Sequence, residues 1–412
     1  MLVNTTIFIG LVLNQKIMTD QPARKNIIVV DLSVSQTSPA GSCVLSELVE
    51  LSKLYTVHLI SSEADETVKK YAILHHISAP KKPLLLWYMV FSSKVKSKIE
   101  KLRRELGPIT IIQTTQGQFI KSTISYPHFC HKAYLNTYWK LTHTKGIQRV
   151  LRKWNHLYQA RMEKMTFYNS KVVVAPSHGL KRELISFYPE LEKKIRVVAN
   201  PVETAHFKKP HSFDRSDFRA GLNVYEKEIV VAFVALGDFA RKGLLKLFQS
   251  LQQKSIQNIP IKIIVIGGNP KEIRTYKGKG VEMGLAEKIR FVGFQKDIRP
   301  FLWASDIFAL PSLYEVFPLA CIQAAAAGLP LLVSRLHGVE EYLVDEGNGW
   351  LVERNEIAIA KVLKKIVGHE YNLEEMGACA QNSIEKYNHG SFRIKWREIY
   401  ASLDQSLKPK VV

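Results

Sequence analysis

Cysteine is scarce in this chain, acidic residues are outnumbered, and no apolar run approaches the length of a membrane span. The four cysteines, Cys43, Cys130, Cys321 and Cys379, lie far apart and form no C-x-x-C pair. That spacing excludes a dense disulfide framework and favours a reducing, cytoplasmic setting. The longest apolar runs are Met1–Leu13, broken by Asn4, Thr5 and Thr6, and Pro83–Phe91. Both fall short of the roughly 18 residues a spanning helix requires, so a soluble or peripheral protein is expected. The 22 glycines and 17 prolines follow no period, and 46% of the 412 residues are hydrophobic. Collagen-like, low-complexity and disordered chains are thereby excluded, and the length suits two or three domains. No D-x-D triplet occurs, and no metal site is expected. Before the first apolar stretch there is no basic segment, so no signal peptide is read there. Met18 is the expected start, and residues 1–17 are an expected non-native extension, with a weakly membrane-contacting segment as the other reading.

What the chain has in excess is positive charge, and it is unevenly placed. Residues 1–200 carry 29 Lys and Arg against 13 Asp and Glu, whereas residues 201–412 carry 29 against 24. The imbalance is sharpest over residues 51–200, with 26 against 9. Nucleic acid, an anionic membrane surface and a phosphorylated substrate would each suit such a surface. Zinc-finger spacing, an RNP-like aromatic signature and a heptad-linked basic region are all missing, so nucleic acid is not an expected partner. At Pro83–Phe91 an apolar stretch with Trp87 and Tyr88 leads into Lys94, Lys96, Lys98, Lys101, Arg103 and Arg104. An interfacial anchor has this composition, and so does a buried element followed by a solvated helix face.

The apolar pattern alternates between short β-branched runs and helical periodicity. Strands are expected at Asn26–Leu32, Thr56–Ile60, Ile109–Gln113, Lys171–Ala175 and Ile195–Ala199. A second series is expected at Ile229–Ala235, Ile261–Ile266, Ile289–Val292, Ile307–Leu310 and Pro330–Ser334. Strands separated by crossover helices make parallel sheets covered on both faces. The α/β chain therefore divides into a first doubly wound domain over residues 18–205, an aperiodic join at 206–224 and a second such domain over 225–385. Ligands of paired domains of this kind lie in the cleft between them, outside the carboxyl ends of the strands.

Three motifs carry chemistry. Gly237-Asp238-Phe239-Ala240-Arg241-Lys242-Gly243 follows the expected strand at 229–235 and precedes an expected helix at Leu244–Leu251. Glycines that permit a tight turn, and two cations near a helix start, suit a diphosphate; a surface Arg-Lys pair has the same look. Next, the run from Pro311 to Pro330 follows the strand at 307–310. Glu315 stands just ahead of a helix that opens near Pro318 and stops at Gly328, and Gln323 lies inside it. Ala320, Cys321 and Ala324 to Ala327 let that helix pack closely beside a ligand or in an ordinary core. Tyr126-Pro127-His128-Phe129-Cys130-His131 follows Gln113-Thr114-Thr115-Gln116-Gly117 in the first half. His128 and His131, three apart, suit one helix face, as cleft-facing groups or as satisfied structural histidines.

In this order, Arg-Lys-Gly, then Pro-Ser-x-x-Glu-x-Phe-Pro-Leu, then Ala-Ala-Gly-Leu-Pro, the chain resembles glycosyltransferase family 4, the retaining, metal-independent nucleotide-sugar enzymes of the GT-B architecture. The resemblance runs from residue 27 nearly to the end and takes in Ala175-Pro176-Ser177, Asn200-Pro201-Val202, Gly267-Gly268, Ala304-Ser305-Asp306, His337 to Glu341 and Gly347-Asn348-Gly349. Around Gly237–Gly243 it is most similar to lipopolysaccharide-core glucosyltransferase-like members. The resemblance implies two Rossmann-like domains facing a cleft, the first on the acceptor side and the second holding the donor, with residues 386–412 forming a helix that crosses back. It implies that Arg241 and Lys242 hold the donor diphosphate and that Glu315 accepts from a hydroxyl of the transferred sugar. Amides of Phe317, the segment after Pro318, and Leu319 would face phosphate or sugar. Backbone near Gly293 and Phe294 would read the donor base, with a UDP-sugar favoured. His128 would stand near the donor sugar, His131 being the alternative, and Gly41, in a Gly-rich loop Pro39-Ala40-Gly41-Ser42, would approach the phosphates. No cofactor or metal is implied, and the acceptor is a glycan, a lipid-linked sugar or a small molecule. Two positions depart from the family pattern: Gln323 replaces a carboxylate expected to hold the ribose, and Ala40 replaces a glycine. These departures leave a degenerate, non-catalytic nucleotide-sugar-binding protein as the alternative to an active enzyme.

Overall fold

The computed structural model describes residues 24–142 and 146–404. The expected extension at 1–17, the start at Met18 and the segment 405–412 lie outside the described residues. Seven strands form the first sheet: Asn26–Val30 (β1), Thr56–Ser61 (β2), Ile73–His76 (β3), Ile112–Thr115 (β4), Ile124–Tyr126 (β5), Val172–Ala175 (β6) and Ile195–Val197 (β7). They run parallel in the order β3-β2-β1-β4-β5-β6-β7. Helices Pro39–Leu54 (α1), Leu84–Leu106 (α2), Gly146–Asn169 (α3) and His178–Phe187 (α4) accompany it. Alternation along β1 shows why both faces are covered. Ile27 and Val29 pack with Val44, Leu48 and Leu51 of α1, whereas Ile28 and Val30 pack with Phe91, Val95, Ile99 and Leu102 of α2.

A second parallel sheet holds Ile229–Ala235 (β8), Ile261–Gly267 (β9), Ile289–Gly293 (β10), Ile307–Leu310 (β11), Leu331–Val333 (β12) and Gly349–Leu351 (β13). Its order is β10-β9-β8-β11-β12-β13. Helices Leu244–Leu251 (α5) and Leu319–Ala326 (α6) follow β8 and β11, and His389–Leu403 (α7) ends the described chain. Although α7 follows the second sheet in sequence, Phe392, Trp396, Ile399 and Tyr400 are buried in the core of the first. The Tyr400 hydroxyl donates to Gln113 Oε1 at 2.9 Å, and Lys25 pairs with Asp404 at 2.7 Å. The two units are thus fastened by the chain's end as well as by its middle.

Several expectations need correction. Pro39-Ala40-Gly41-Ser42 is not a loop but the first turn of α1, with Pro39 at its first position and Ser38 accepting from the Gly41 amide. Proline's fixed φ and a serine cap favour this start. Gly41 is required because a Cβ there would lie 2.3 Å from Ser33 O, so it serves helix-to-strand packing. Within the expected join at 206–224, Asp214 caps a short helix at Arg215–Gly221, and Phe218 and the capping Leu222 pack on the second core. Strands β3, β5 and β13 were not expected, being three or four residues long and too short for a period to show.

The same helix carries Arg219, whose side chain is 7% exposed and bonded to Asp306 at 2.7 Å. Asp306 also accepts from Arg215 and from the Val230 amide. Asp306→Ala should therefore strand a buried guanidinium and cost about 3 to 5 kcal/mol of folding stability. Urea denaturation checks this, and a loss under 1 kcal/mol would mean that Arg219 reaches solvent in the folded protein.

Candidate functional site

In the second sheet the chain connections depart in opposite directions from β8 and β11, so their carboxyl ends open a crevice between diverging loops. The loop after β8 is Gly237–Gly243 and the loop after β11 is Pro311–Pro318. They are joined backbone to backbone, with the Leu313 amide donating to Arg241 O at 2.7 Å. Gly243, at φ +87°, lies so close to Pro311 that a Cβ would sit 2.0 Å from its carbonyl oxygen. Residues Phe239–Lys242 form a single helical turn rather than open loop, and the left-handed residue that starts it is Asp238, φ 58°, not a glycine.

This turn places Arg241 and Lys242 on one carboxylate. Arg241 Nη1 lies 2.8 Å and Lys242 Nζ 2.6 Å from Glu315 Oε1, which also accepts from the Ser312 hydroxyl at 3.0 Å. The three charged side chains are only 12% to 20% exposed. Burial alone would raise the Glu315 carboxyl, but Lys242 and then Arg241 outweigh it and hold it below its ordinary range. Arg241 is likewise buried yet kept charged by Glu315 and Asp238. With Arg152 and Arg354 beside them, Arg241 and Lys242 make four cations against the two carboxylates Glu315 and Asp238, and the excess of positive charge in a low-dielectric crevice is a site for an anion. Arg354, from beyond β13, donates to Pro311 O and Ala240 O and ties both loops together.

Residues around this triad fall into place unequally. Phe317 and Pro318 are buried, and Pro318 is the cap of α6. Leu319 opens α6, and Gln323 lies one turn further on the same, partly exposed face. A Cβ on Gly237 would meet Glu272, which accepts from the Phe239 amide. Gly293 and Phe294 stand at the end of β10, one strand removed from β8, with Phe294 exposed.

Across the cleft, the first unit grips the loop that bears Glu315. Tyr314 inserts among Phe129, Tyr134 and Tyr138, with ring centroids 4.7, 5.5 and 4.8 Å away. Its hydroxyl accepts from the Cys130 amide and donates to Glu183 at 2.6 Å, and Glu183 also meets His337. Asn200 accepts from the Tyr126 hydroxyl and donates to Phe317 O. Arg152 of α3 lies 3.6 Å from Asp238, and Arg182 of α4 is 2.8 Å from Glu340. Tyr314, Glu183, Asn200 and Arg152 had no signal as site residues, because their partners lie far away in sequence.

The two histidines do not share a helix face, since the helical segment begins only at His131. His131 Nδ1 is engaged with His156 Nδ1 at 2.9 Å. His128 lies against the Tyr126 ring at 4.2 Å, and its buried Nε2 has no hydrogen-bond partner. Burial pushes the His128 imidazole down to about 3, so it is neutral at physiological pH.

Residues 214–385 match the family described as Glycosyl transferases group 1, and residues 40–206 match Glycosyltransferase Family 4. An uncharacterized glycosyltransferase of Methanocaldococcus jannaschii, MJ1607, is 25% identical over 313 residues, covering 74% of this chain and 77% of its own. The UDP-Gal:alpha-D-GlcNAc-diphosphoundecaprenol alpha-1,3-galactosyltransferase of Escherichia coli is 30% identical over 167 residues, 40% of this chain and 42% of its own. Among solved structures, HepE of Anabaena in complex with UDP-glucose shares the fold, with a TM-score of 0.71 at 15% identity. That likeness covers 92% of this chain and 99% of the other.

The neutral His128 has a consequence for stability. Below about pH 6.5 the unfolded chain binds a proton there that the folded chain does not, so stability falls as pH falls from 6.5 toward 3. Relative to His128→Gln, the wild type should lose about 2 kcal/mol between pH 8 and pH 5, read from unfolding midpoints. Parallel curves for the two proteins would show that the imidazole protonates freely in the fold.

Proposed function

The chain belongs to glycosyltransferase family 4 and is a glycosyltransferase, and from that premise we propose that it is a retaining, metal-independent enzyme. It moves a sugar from a UDP-sugar to a glycan acceptor presented at an anionic membrane surface. The observation that carries this is the pair of buried cations, Arg241 and Lys242, aligned by Glu315 at the carboxyl ends of β8 and β11. In the reaction the bond from the anomeric carbon to the diphosphate oxygen breaks and a bond to an acceptor hydroxyl oxygen forms. The departing phosphate, on the same face of the sugar, takes the acceptor proton. Negative charge gathers on the diphosphate in the transition state, and fixed cations in a water-poor crevice stabilise it most at that point. Glu315 accepts from a hydroxyl of the donor sugar while holding both cations in place. A uridine donor is supported by the fold neighbour solved with UDP-glucose, and a lipid-linked acceptor by the relative named for one.

The membrane partner is supported by two helices of the first unit. Leu84, Leu86 and Met89 on α2, and Ile147, Val150, Leu151 and Trp154 on α3, are all more than 40% exposed. The α3 residues recur at three- and four-residue spacing, which sets them on one stripe. Tyr158 of α3 meets Ser92 of α2, so the two helices lie against each other. Lys94, Lys96, Lys153, Arg161 and Lys164 belong to the same helices. An apolar face among lysines and arginines suits an anionic leaflet, such as the cytoplasmic face of a membrane. No helix of the described residues is long and apolar enough to cross a membrane.

Three measurements test these assignments. In a thermal-shift series with UDP, GDP and ADP, UDP should raise the melting temperature most and Arg241→Ala should abolish the rise; the same shift in the variant would remove Arg241 from the site. Glu315→Gln, which keeps the side chain's shape, should lower sugar transfer from UDP-glucose by at least about a hundredfold in protein shown by circular dichroism to be folded, and an unchanged rate would remove Glu315 from the site. For the membrane, wild-type protein should co-sediment with phosphatidylglycerol-rich vesicles at low salt, and the Leu151→Ser, Trp154→Ser double variant should stay in solution. Failure of the wild type to sediment would remove the lipid surface from the account.

A further inference from the structure

The Arg241 guanidinium has charge partners in Glu315 and Asp238, and a third partner in the carbonyl oxygen of Tyr314. Tyr314 therefore faces two ways. Its backbone holds Arg241, whereas its side chain crosses to the first unit and ends, 2% exposed, against α4. There the hydroxyl accepts from the Cys130 amide at 3.2 Å and donates to Glu183 Oε2 at 2.6 Å.

Glu183 is deeply placed for an acidic side chain, 8% exposed, and each of its oxygens meets a group of the second unit. Oε1 lies 3.2 Å from His337 Nε2, in the segment that follows β12. That segment is locked to the loop bearing Glu315. Gly338, at φ +83°, lies so close that a Cβ would sit 2.5 Å from the Phe317 ring and 3.0 Å from Val316 O. On the other side, α4 accommodates His337 because Gly179 has no side chain; a Cβ there would be 2.7 Å from His337 Nδ1. One carboxylate of the first unit thus grips the loop on both flanks of Glu315, through Tyr314 before it and through His337 and Gly338 against the two residues after it. An apolar contact would hold the units together without the desolvation of a carboxylate. What the carboxylate adds is a fixed place for the Tyr314 hydroxyl. Through that one residue the place is passed to the carbonyl that binds Arg241 and to the neighbouring Glu315.

We propose that Glu183 is a positioning residue for the donor diphosphate: acting through Tyr314, it sets the aim of Arg241 from the opposite side of the cleft. The inference rests on the reading of Arg241 and Lys242 as the diphosphate site and adds a residue that touches no substrate. Preorganised charge is effective only where its supporting shell holds it in place. The diphosphate site of the second unit is in this way completed by the first.

Calorimetric titration of the full-length protein with UDP and with uridine separates this role from general support of the fold, because only UDP carries the phosphates that Arg241 would meet. In Glu183→Ala and in Tyr314→Phe, UDP should bind about tenfold more weakly than in the wild type, and uridine as before. Glu183→Gln, whose amide oxygen still accepts from the Tyr314 hydroxyl, should bind UDP within about threefold of the wild type. The double variant, Glu183→Ala with Tyr314→Phe, should be no weaker than the weaker single one, since both changes remove the same bond. Tyr314→Phe keeps the ring in its pocket and carries the test if Glu183→Ala does not fold. Unchanged UDP affinity in the folded single variants, or an equal loss for UDP and uridine, would overturn the proposal. A wild type that does not bind UDP, or binds uridine equally well, would instead bring down the diphosphate assignment on which it rests.

Discussion

The Glu315 carboxylate, buried between Arg241 and Lys242, is the contact on which the cleft depends. Without it, two cations only 17% and 20% exposed would lie side by side with little water to screen them. Without the cations, a buried carboxylate would take up a proton and lose its aim. Each of the three charges is therefore tolerable because it is paired, Arg241 with Asp238 as well as with Glu315. The loops obey the same constraint. Gly243 has no side chain because Pro311 O occupies that space, and Arg354 binds the carbonyls of both loops. The geometry that aligns the charges is also the geometry that lets the loops touch.

A second constraint works across the units. Tyr314 sits one residue from Glu315 yet is buried among aromatic rings of the first unit. Any motion that opens the cleft must withdraw it from that pocket and free Glu183 and the Cys130 amide. Helix α7 is fastened on a larger scale, with Phe392, Trp396, Ile399 and Tyr400 all buried in the core of the first unit.

Much of this could be read from the sequence, and the reason differs from element to element. Long β-branched runs such as Ile229–Ala235 and Ile261–Ile266 are buried on both faces, so their composition alone marks them. The Arg241-Lys242 pair and Glu315 were legible because each belongs to a local motif, with a strand before it and a helix after. Strands of three residues, like Ile124–Tyr126, are fixed by their neighbours in the sheet and leave no period. Pro39–Ser42 was misassigned as a loop because glycine suggests flexibility, while here the proline and the Ser38 cap start a helix. The exposed stripe of α3 was present as a pattern, but nothing in a sequence separates an uncovered apolar face from a core one. Tyr314 with Glu183 is a meeting of residues 131 positions apart, and only the folded chain displays it.

The central claim is that Arg241 and Lys242 recognise the diphosphate of the donor. Calorimetric titration of the full-length protein with UDP and with uridine tests it most directly, because the two ligands differ only in the phosphates. Two charge-assisted contacts in a buried site should make UDP bind at least about a hundredfold more tightly than uridine. That ratio should fall toward unity in Arg241→Ala. Equal affinity for UDP and uridine in the wild type would contradict the account, because the buried cations would then have no part in holding the donor.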